Sequence, residues 1–522
     1  MLSFRIHLQD LRSTNWTWNA GRWTNRESWI QPVDNPALAS QITYDWLGQV
    51  AIVIYERPTR SCAPWPTERL PVSMADAATS FTTTPPGEFL TVHLQPDQVT
   101  LAAGPFGSAP LFLAAHRGLL VGSWHLPDLQ PLIRVNQLLD RAVTRRLIRQ
   151  PRYSRDTVFA NVHRLTERAT ATFTGTGLSF CYPTSAEHVL RPRELRSGSD
   201  VIEAFDELLA SVVGKPVLGT SVAVELSGGA DSANVAMTVA SRRAETVSSY
   251  GLVLDGSVGR LQQHRRAAMI RQFGLRDTQV AARDHPPFAP TGIRSRAKPH
   301  DPTAAYYREA FDALCEAAAL DGAQTVYTGM GGDELMARHP HEWSVPRPLP
   351  AAAPWLGPAS RAALDDIDED LAPVGHVHLP TLMALASHNP AYLAAGIWPV
   401  APLAHPALVH FAEQLPLEWR TRKRLLRQRL HRAGLSNDVA DPYQQETFSD
   451  LMQVGLRRFG LPILKHMLDG SSLLVDLGYL DHDALASVYT DALSNGLIPS
   501  QLCDAISLEV GLQSLGAAGC DW

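Results

Sequence analysis

Short apolar runs separated by turn residues mark the first part of the chain. From about residue 40 to 185, Val50-Ala51-Ile52-Val53-Ile54-Tyr55, Phe89 to Leu94, Val99 to Ala103, Leu111 to Ala115 and Leu119 to Gly122 are strand-sized and rich in β-formers. Pro96-Asp97, Gly104-Pro105-Phe106-Gly107 and His116-Arg117-Gly118 supply the turns between them. This half reads as a β-rich layered domain. The charged, Ser/Gly-containing stretch Arg191 to Asp200 predicts a linker, which puts a boundary near residue 195.

Beyond the linker the rhythm becomes helix–strand alternation, the mark of an α/β domain over 196–522. The spacing predicts helices over Ile202 to Val213, Ala233 to Ser241, Gln262 to Phe273 and Thr303 to Leu320. Strands are expected at Ser221 to Leu226, Val247 to Leu254 and Thr325-Val326-Tyr327. From His339 to Gly375 the chain carries Pro340, Pro346, Pro348, Pro350, Pro354, Pro358 and Pro373, which predicts a long surface excursion. From Leu379 onward the pattern is mostly helical.

Two loops at predicted strand ends carry the candidate chemistry. The first follows Leu226 as Ser227-Gly228-Gly229-Ala230-Asp231-Ser232 and opens a helix. Glycines admit close approach of a phosphate, and loop and helix N-terminal N–H groups point at the anion. Serine hydroxyls add donors, and Asp231 suits a magnesium ion on phosphate oxygens. A Walker A loop is excluded, because no Gly-Lys-Ser/Thr stands at the required spacing. An ordinary Gly-rich turn with Ser/Asp caps would look the same locally. The second loop, Thr328-Gly329-Met330-Gly331-Gly332-Asp333-Glu334, again ends a strand in glycines and acids. Ligands of parallel sheets sit at the carboxyl ends of strands, so Asp231 and Asp333 are expected to share one magnesium ion.

Composition narrows the class. The chain has 522 residues, 45% hydrophobic and 19% charged, which points to a globular protein of two domains or more. A net charge of −6 gives no global pull toward nucleic acid or an anionic membrane. The basic run Arg420 to Leu430 is then a solvated helix face, with Leu425, Leu426 and Leu430 buried and arginines outward, or a local site. Five scattered cysteines, Cys62, Cys181, Cys315, Cys503 and Cys520, form no zinc or disulfide pattern and fit a reducing compartment. With no signal peptide recognisable and no membrane-length apolar run, the expected location is cytoplasmic.

The SGGxDS loop, followed about a hundred residues later by Thr-Gly-x-Gly-Gly-Asp-Glu-Leu, resembles the synthetase domain of the asparagine synthetase family. Gly104 to Phe112, and Pro402 to Val409 with Leu415-Pro416, resemble other parts of that family. The family also includes β-lactam synthetases and the macrolactam-forming cyclases of lasso peptide biosynthesis. The resemblance implies a PP-loop (adenine-nucleotide α-hydrolase-like) domain at 196–522 behind a degenerate glutamine-amidotransferase-like domain at 1–195. It implies ATP and magnesium as cofactors, cleavage of ATP to AMP through an acyl-adenylate, and displacement by an amine. It also gives Lys423, in Lys-Arg-Leu-Leu-Arg, the role of catalytic cation beside the α-phosphate. Leu226, Ser227, Gly228, Gly229, Asp231, Ser232, Thr328 and Gly329 become nucleotide-binding residues, and Asp231 and Asp333 the metal ligands.

Departures from the family narrow the substrate. Glutamine-using members carry Cys after the initiator Met; here that position is Leu2, whose side chain cannot attack an amide. Three residues before Asp333 stands Met330, where asparagine synthetases have Glu and β-lactam synthetases Tyr. Methionine accepts no proton, which leaves Glu309 and His405 as candidate bases. The family's acidic pair after the second strand is replaced by Arg260-Leu261-Gln262-Gln263. Leu415-Pro416-Leu417-Glu418-Trp419-Arg420 and the missing Cys are most similar to the lasso peptide cyclases. That likeness implies a core peptide as substrate, with a leader peptidase and a leader-recognition protein as partners. An ammonia-dependent asparagine synthetase, another small-molecule amide synthetase, and a nucleotide-binding regulator without catalysis are the alternatives.

Overall fold

The computed structural model of the chain describes residues 1–44, 49–57, 87–214, 220–295, 298–342, 353–442, 446–470, 472–496 and 498–516. Alternation begins at once: Leu2, Phe4 and Ile6 are fully buried, and Ser3, Arg5 and His7 face the other way. This strand, β1 (Leu2–His7), lies in an antiparallel sheet with β2 (Thr17–Asn19), β3 (Arg22–Asn25), β4 (Ser28–Pro32), β9 (Leu111–His116), β10 (Leu119–Ser123) and β11 (Val162–Leu165), in the order β11-β9-β10-β1-β4-β3-β2. A second antiparallel sheet joins β5 (Leu38–Tyr44), β6 (Val50–Glu56), β7 (Phe89–Gln95), β8 (Gln98–Ala103), β12 (Thr170–Thr174) and β13 (Gly177–Cys181), in the order β13-β12-β8-β7-β6-β5. The two sheets share a core of Leu2, Phe4, Ile6 and Ile30 against Ile52, Ile54, Val92 and Leu101. The β-rich region therefore begins at residue 2, not near residue 40. The apolar alternation of β1 is the signal that would have revealed it.

The C-terminal half is built on a five-stranded sheet of β14 (Val222–Glu225), β15 (Ser248–Val253), β16 (Arg276–Ala281), β17 (Thr325–Tyr327) and β18 (Trp398–Val400). Every neighbouring pair is parallel, in the order β16-β15-β14-β17-β18. The chain steps outward from β14 to β16, then returns to place β17 on the other flank of β14. That reversal opens a crevice beyond the carboxyl ends of β14 and β17, where open α/β sheets bind ligands. β16 is a polar edge strand with no fully buried residue, and β18, at the other edge, is three residues containing Pro399, too short to show an alternation. The helix expected from Thr303 begins at Arg308 instead. Asp301 holds the Thr303 N–H and hydroxyl at 2.8 and 2.7 Å and keeps that stretch in a turn.

Residues 191–200 carry no regular element, and Asp200 ends them by accepting the N–H groups of Ile202 and Glu203 as the cap of the helix Val201–Val213. The proline-rich stretch departs from the surface excursion expected of it. Residues 343–352 lie outside the described region, but Trp355 and Leu356 are buried, and Leu356 bridges to Leu480. The indole ring closes one side of a core that both halves of the chain build. Phe112, Leu129, Val158 and Val162 pack there with Leu456, Leu464, Ile506, Leu508 and Leu512. The helix Leu502–Gly516 is buried on almost every side, including Asp504, which is wholly inaccessible. Its carboxylate meets Arg146 Nε at 2.9 Å and Arg149 Nε at 2.6 Å, both from the N-terminal half.

Removing one partner of a buried charge group strands the other. Asp504→Ala is therefore expected to lower unfolding stability by about 3 kcal/mol, at the lower end for buried pairs because both arginines keep some solvent contact. Chemical denaturation followed by circular dichroism measures it; a change under ~0.5 kcal/mol would mean the two halves are not held together through this contact.

Candidate active site

Strand β14 delivers Leu226, fully buried with its N–H donating to the Tyr250 carbonyl at 2.8 Å, and then releases the first loop. Gly228 turns the chain with φ +93°, a conformation that favours glycine. Inside the loop the hydroxyls of Ser227 and Ser232 lie 3.0 Å apart. Ser232 Oγ also accepts the Ser227 N–H at 3.1 Å, and Ser227 Oγ accepts the Gly229 N–H at 3.2 Å. The loop is thus shaped by its own side chains before any ligand arrives. Gln262 braces it from outside: its Nε2 donates to the carbonyls of Ser227 and Leu252, both at 2.9 Å, and its Oε1 accepts the Leu254 N–H at 2.9 Å. Nothing in the sequence marked Gln262, expected at the start of a helix and where the family carries an acid, as this brace.

The second loop leaves β17 beside the first. The Thr328 N–H donates to the Val400 carbonyl at 2.8 Å, and its hydroxyl accepts the Met330 N–H at 3.4 Å. A β-carbon on Gly329 would fall 2.6 Å from Ser232 N, and one on Gly332 2.3 Å from the Asp231 carboxylate carbon. Gly331 has φ +89° and lies against the backbone of Ala404. These glycines let the two loops touch, which brings Asp231 and Asp333 to one place.

Lys423 joins them. Its ammonium lies 2.5 Å from Asp231 Oδ2 and 2.6 Å from Asp333 Oδ1. The lysine is not inside a continuous basic helix, as its sequence suggested. The short helix Leu417–Arg420 ends, Arg422 and Lys423 take left-handed conformations with φ 51° and 55°, and a new helix Arg424–Arg432 begins. Two side-chain-bearing residues in that region are costly and are kept only where surroundings impose them. Nor do all the arginines face outward. Leu425, Leu426 and Leu430 are buried, but so are Arg420 and Arg429. Arg429 donates to the Asn234 carbonyl and to its Oδ1 at 3.0 and 3.1 Å and to Thr238 Oγ1 at 2.7 Å, and it also pairs with Asp206. Arg420 donates to the carbonyls of Leu415 and Ala337 at 3.1 and 2.6 Å and to Glu342 at 2.5 Å. A guanidinium satisfied on so many edges can be buried, and Arg429 then ties the helix that follows the lysine to the helix Ala230–Ser241 behind the first loop.

Burial pushes the Asp231 carboxyl above its usual range, and Lys423 opposes that shift while Asp333 adds to it. Burial alone would lower the Lys423 ammonium, but Asp231 and then Asp333 outweigh it and hold its pKa above the ordinary lysine value. Asp231 Oδ1 is buried without a hydrogen-bond partner. A hard cation is the group such an oxygen lacks, so Asp231 with Asp333 fits magnesium, whose chemistry is to neutralise phosphate oxygens. Beside Asp333 opens a cavity of about 400 Å3 lined also by Met336, Arg420, Arg422, Lys423, Arg427 and Pro442. Arg422 and Arg427, which pair with Asp441, give it a cationic wall suited to polyphosphate.

The candidate bases lie elsewhere. Both carboxylate oxygens of Glu309 are taken by Arg294, at 2.8 and 2.5 Å, and one also accepts the Phe288 N–H. His405 packs on Phe106 and accepts the Ala407 N–H at 3.2 Å, lining a separate cavity of about 280 Å3. Leu2 is fully buried in the sandwich core.

No protein-family model matches the chain, and no curated protein matches it. Solved structures with some likeness include an allosteric regulatory enzyme of purine biosynthesis, at 9% identity and TM-score 0.21 over 51% of this chain and 69% of that one. The U34-tRNA thiolase NcsA from Methanococcus maripaludis with its [4Fe-4S] cluster is 10% identical over 51% of this chain and 90% of its own, with TM-score 0.21. Glutamine phosphoribosylpyrophosphate amidotransferase from B. subtilis, complexed with ADP and GMP, is 13% identical over 42% and 52%, with TM-score 0.15. At these values the likenesses bear neither on activity nor on substrate.

Gly332→Ala tests the geometry alone, because it adds one methyl against the Asp231 carboxylate and leaves every charge in place. ATP turnover is expected to fall by at least ~10-fold, the scale of a small misplacement of a reacting group, with the fold retained by circular dichroism. Unchanged turnover would show that Asp231 needs no fixed position.

Proposed function

We propose that the protein is an ATP-dependent, AMP-forming carboxylate–amine ligase that closes a macrolactam ring in a core peptide. The observation that carries the reading is Lys423 held between Asp231 and Asp333 at the mouth of two touching glycine loops. Loop and helix N–H groups receive the phosphates. The substrate carboxylate attacks the α-phosphorus, and the bond to the β-phosphate oxygen breaks. Lys423 stabilises charge on the departing pyrophosphate, for which Arg422 and Arg427 offer the cationic wall. The amine then attacks the acyl carbon, AMP leaves, and an amide remains.

A peptide that brings its own amine suits Met330 and Leu2, which supply neither a base nor ammonia from glutamine. Tethering the amine in near-attack geometry is worth roughly 7–11 kcal/mol of barrier, so less chemical assistance is needed. The peptide would reach the enzyme after a leader-recognition protein and a leader peptidase have acted. The segment His339 to Gly375, of which 343–352 lie outside the described residues, is the candidate wall for it. Trp355 anchors the later part of that segment in the shared core.

Incubation with ATP, magnesium, leader peptidase and precursor is expected to give AMP, pyrophosphate and a core peptide lighter by one water and resistant to Edman degradation. ADP with phosphate would sink the mechanism. Asparagine formed from aspartate and ammonia at a comparable rate would sink the peptide reading alone. Glutamine is expected not to serve as nitrogen donor, and glutamate released from it would overturn that.

Asp231→Ala and Asp333→Ala should each abolish turnover, and Lys423→Ala should slow it by at least ~100-fold. The lysine variant carries a pH signature as well. Without the ammonium, the already raised Asp231 pKa rises further, so the carboxylate is lost at a higher pH on acidification. The acid limb of its pH–rate profile is expected to move to higher pH; an unmoved limb would mean that Asp231 is not the group titrating.

A further inference from the structure

Away from the loops, three segments converge on one corner of the molecule. His188 comes from the chain that leaves the N-terminal sheets, His378 precedes the helix Leu379–Ala394, and Glu413 ends the helix Pro406–Glu413. Their ligand-capable atoms all lie within 4.8 Å of one another. His188 Nδ1 contacts Glu413 Oε1, and His378 Nε2 stands 3.8 Å from the same oxygen. The two imidazoles are stacked, with ring centroids 5.5 Å apart.

The hydrogen bonds around them decide what the corner is for. His188 Nε2 lies 2.8 Å from the Gly375 carbonyl, which can only accept, so the proton is on Nε2. In the neutral ring the Nδ1 lone pair then points at a carboxylate oxygen. That is repulsive unless a cation lies between them: a second proton or a metal ion. Glu413 is held likewise, its Oε2 accepting the Val189 N–H at 3.0 Å and its carbonyl lying 3.1 Å from His339 Nε2. Backbone groups that fix the second polar atom of a ligand, as the Gly375 carbonyl does for His188 and the Val189 N–H for Glu413, are the usual outer shell of a metal centre.

We propose that His188, His378 and Glu413 bind a divalent transition-metal ion, with zinc the best fit. Imidazole and carboxylate ligands about 2.0–2.2 Å from zinc stand roughly 3.3–3.5 Å apart in a tetrahedron. The 3.8 Å contact meets that spacing closely; on binding, the His188–Glu413 contact would lengthen and the two imidazoles, whose ligand atoms lie within 4.8 Å, would draw together. Three protein ligands leave one position for water. The site lies apart from the nucleotide loops but is linked to them. Glu413 closes the helix whose opening turn follows Ala404, and Ala404 lies against Gly331. The metal would pin the segment leaving the N-terminal sheets to an element bordering the second loop.

The full chain, free of any histidine tag and stripped with a chelator, would be titrated with zinc against a chromophoric chelator. One equivalent is expected to bind, and affinity should fall by at least ~10–100-fold in His378→Ala. Cobalt in place of zinc should give visible ligand-field absorption that this variant lacks. Should His378→Ala fail to fold, His188→Gln, which keeps a side chain able to meet the Gly375 carbonyl, serves in its place. No stoichiometric zinc on the wild-type chain, or zinc held equally tightly by a folded variant, would overturn the proposal and leave a protonated His188–Glu413 ion pair. Because the readout is metal binding, it stands or falls independently of the ligase reaction.

Discussion

At Gly329 and Gly332 the second loop comes so near the first that any side chain there would collide with Ser232 backbone or the Asp231 carboxylate. Everything distinctive about the site follows from that contact. It exists because β17 returns to lie beside β14, so that two strand ends far apart in sequence open into one crevice. Contact between the loops gathers acids on one side, and acids gathered in a half-buried place need a cation. Lys423 supplies it from a third segment. Its carrier turn is held in an unfavourable backbone conformation, while Arg429 and Arg420 grip the elements on either side. The strain, the ion pair and the glycines are parts of one arrangement.

Charge ties the three groups together. Asp231 resists ionisation because of burial, and Lys423 resists deprotonation because of Asp231 and Asp333. Each group steadies the charged form of the other. The cavity next to them, lined by Arg420, Arg422, Lys423 and Arg427, is where the proposed ligase would receive a polyphosphate.

Much of this was legible in the sequence, for a definable reason. Each glycine loop is local: strand, turn and helix start lie within a dozen residues, and the apolar run of β14 leads straight into Ser227. Leu425, Leu426 and Leu430 marked the buried face of their helix correctly. Apart from β1, whose apolar alternation was present but passed over, what escaped was mostly non-local or carried by polar residues. No glycine or proline marks the break at Arg422-Lys423, because tertiary contacts impose it. The burial of Arg420 and Arg429 depends on acceptors from other helices and loops. β16 is a polar edge strand, and β18, at the other edge, is apolar but too short to show an alternation. The proline-rich stretch concealed Trp355, since proline density says where regular structure stops and not where the chain goes.

The core shared between the halves has a consequence for the birth of the protein. A ribosome makes the N-terminal sheets first, yet the core that holds Phe112, Leu129 and Val162 is completed in part by the helix Leu502–Gly516, several hundred residues later. At about 5–20 residues per second, the interval between the two is of the order of tens of seconds. Throughout it the sandwich presents a greasy flank with nothing to cover it, and Arg146 and Arg149 wait for an anion not yet synthesised. Until the C-terminal helices emerge, that flank is an exposed apolar surface of the kind chaperones bind.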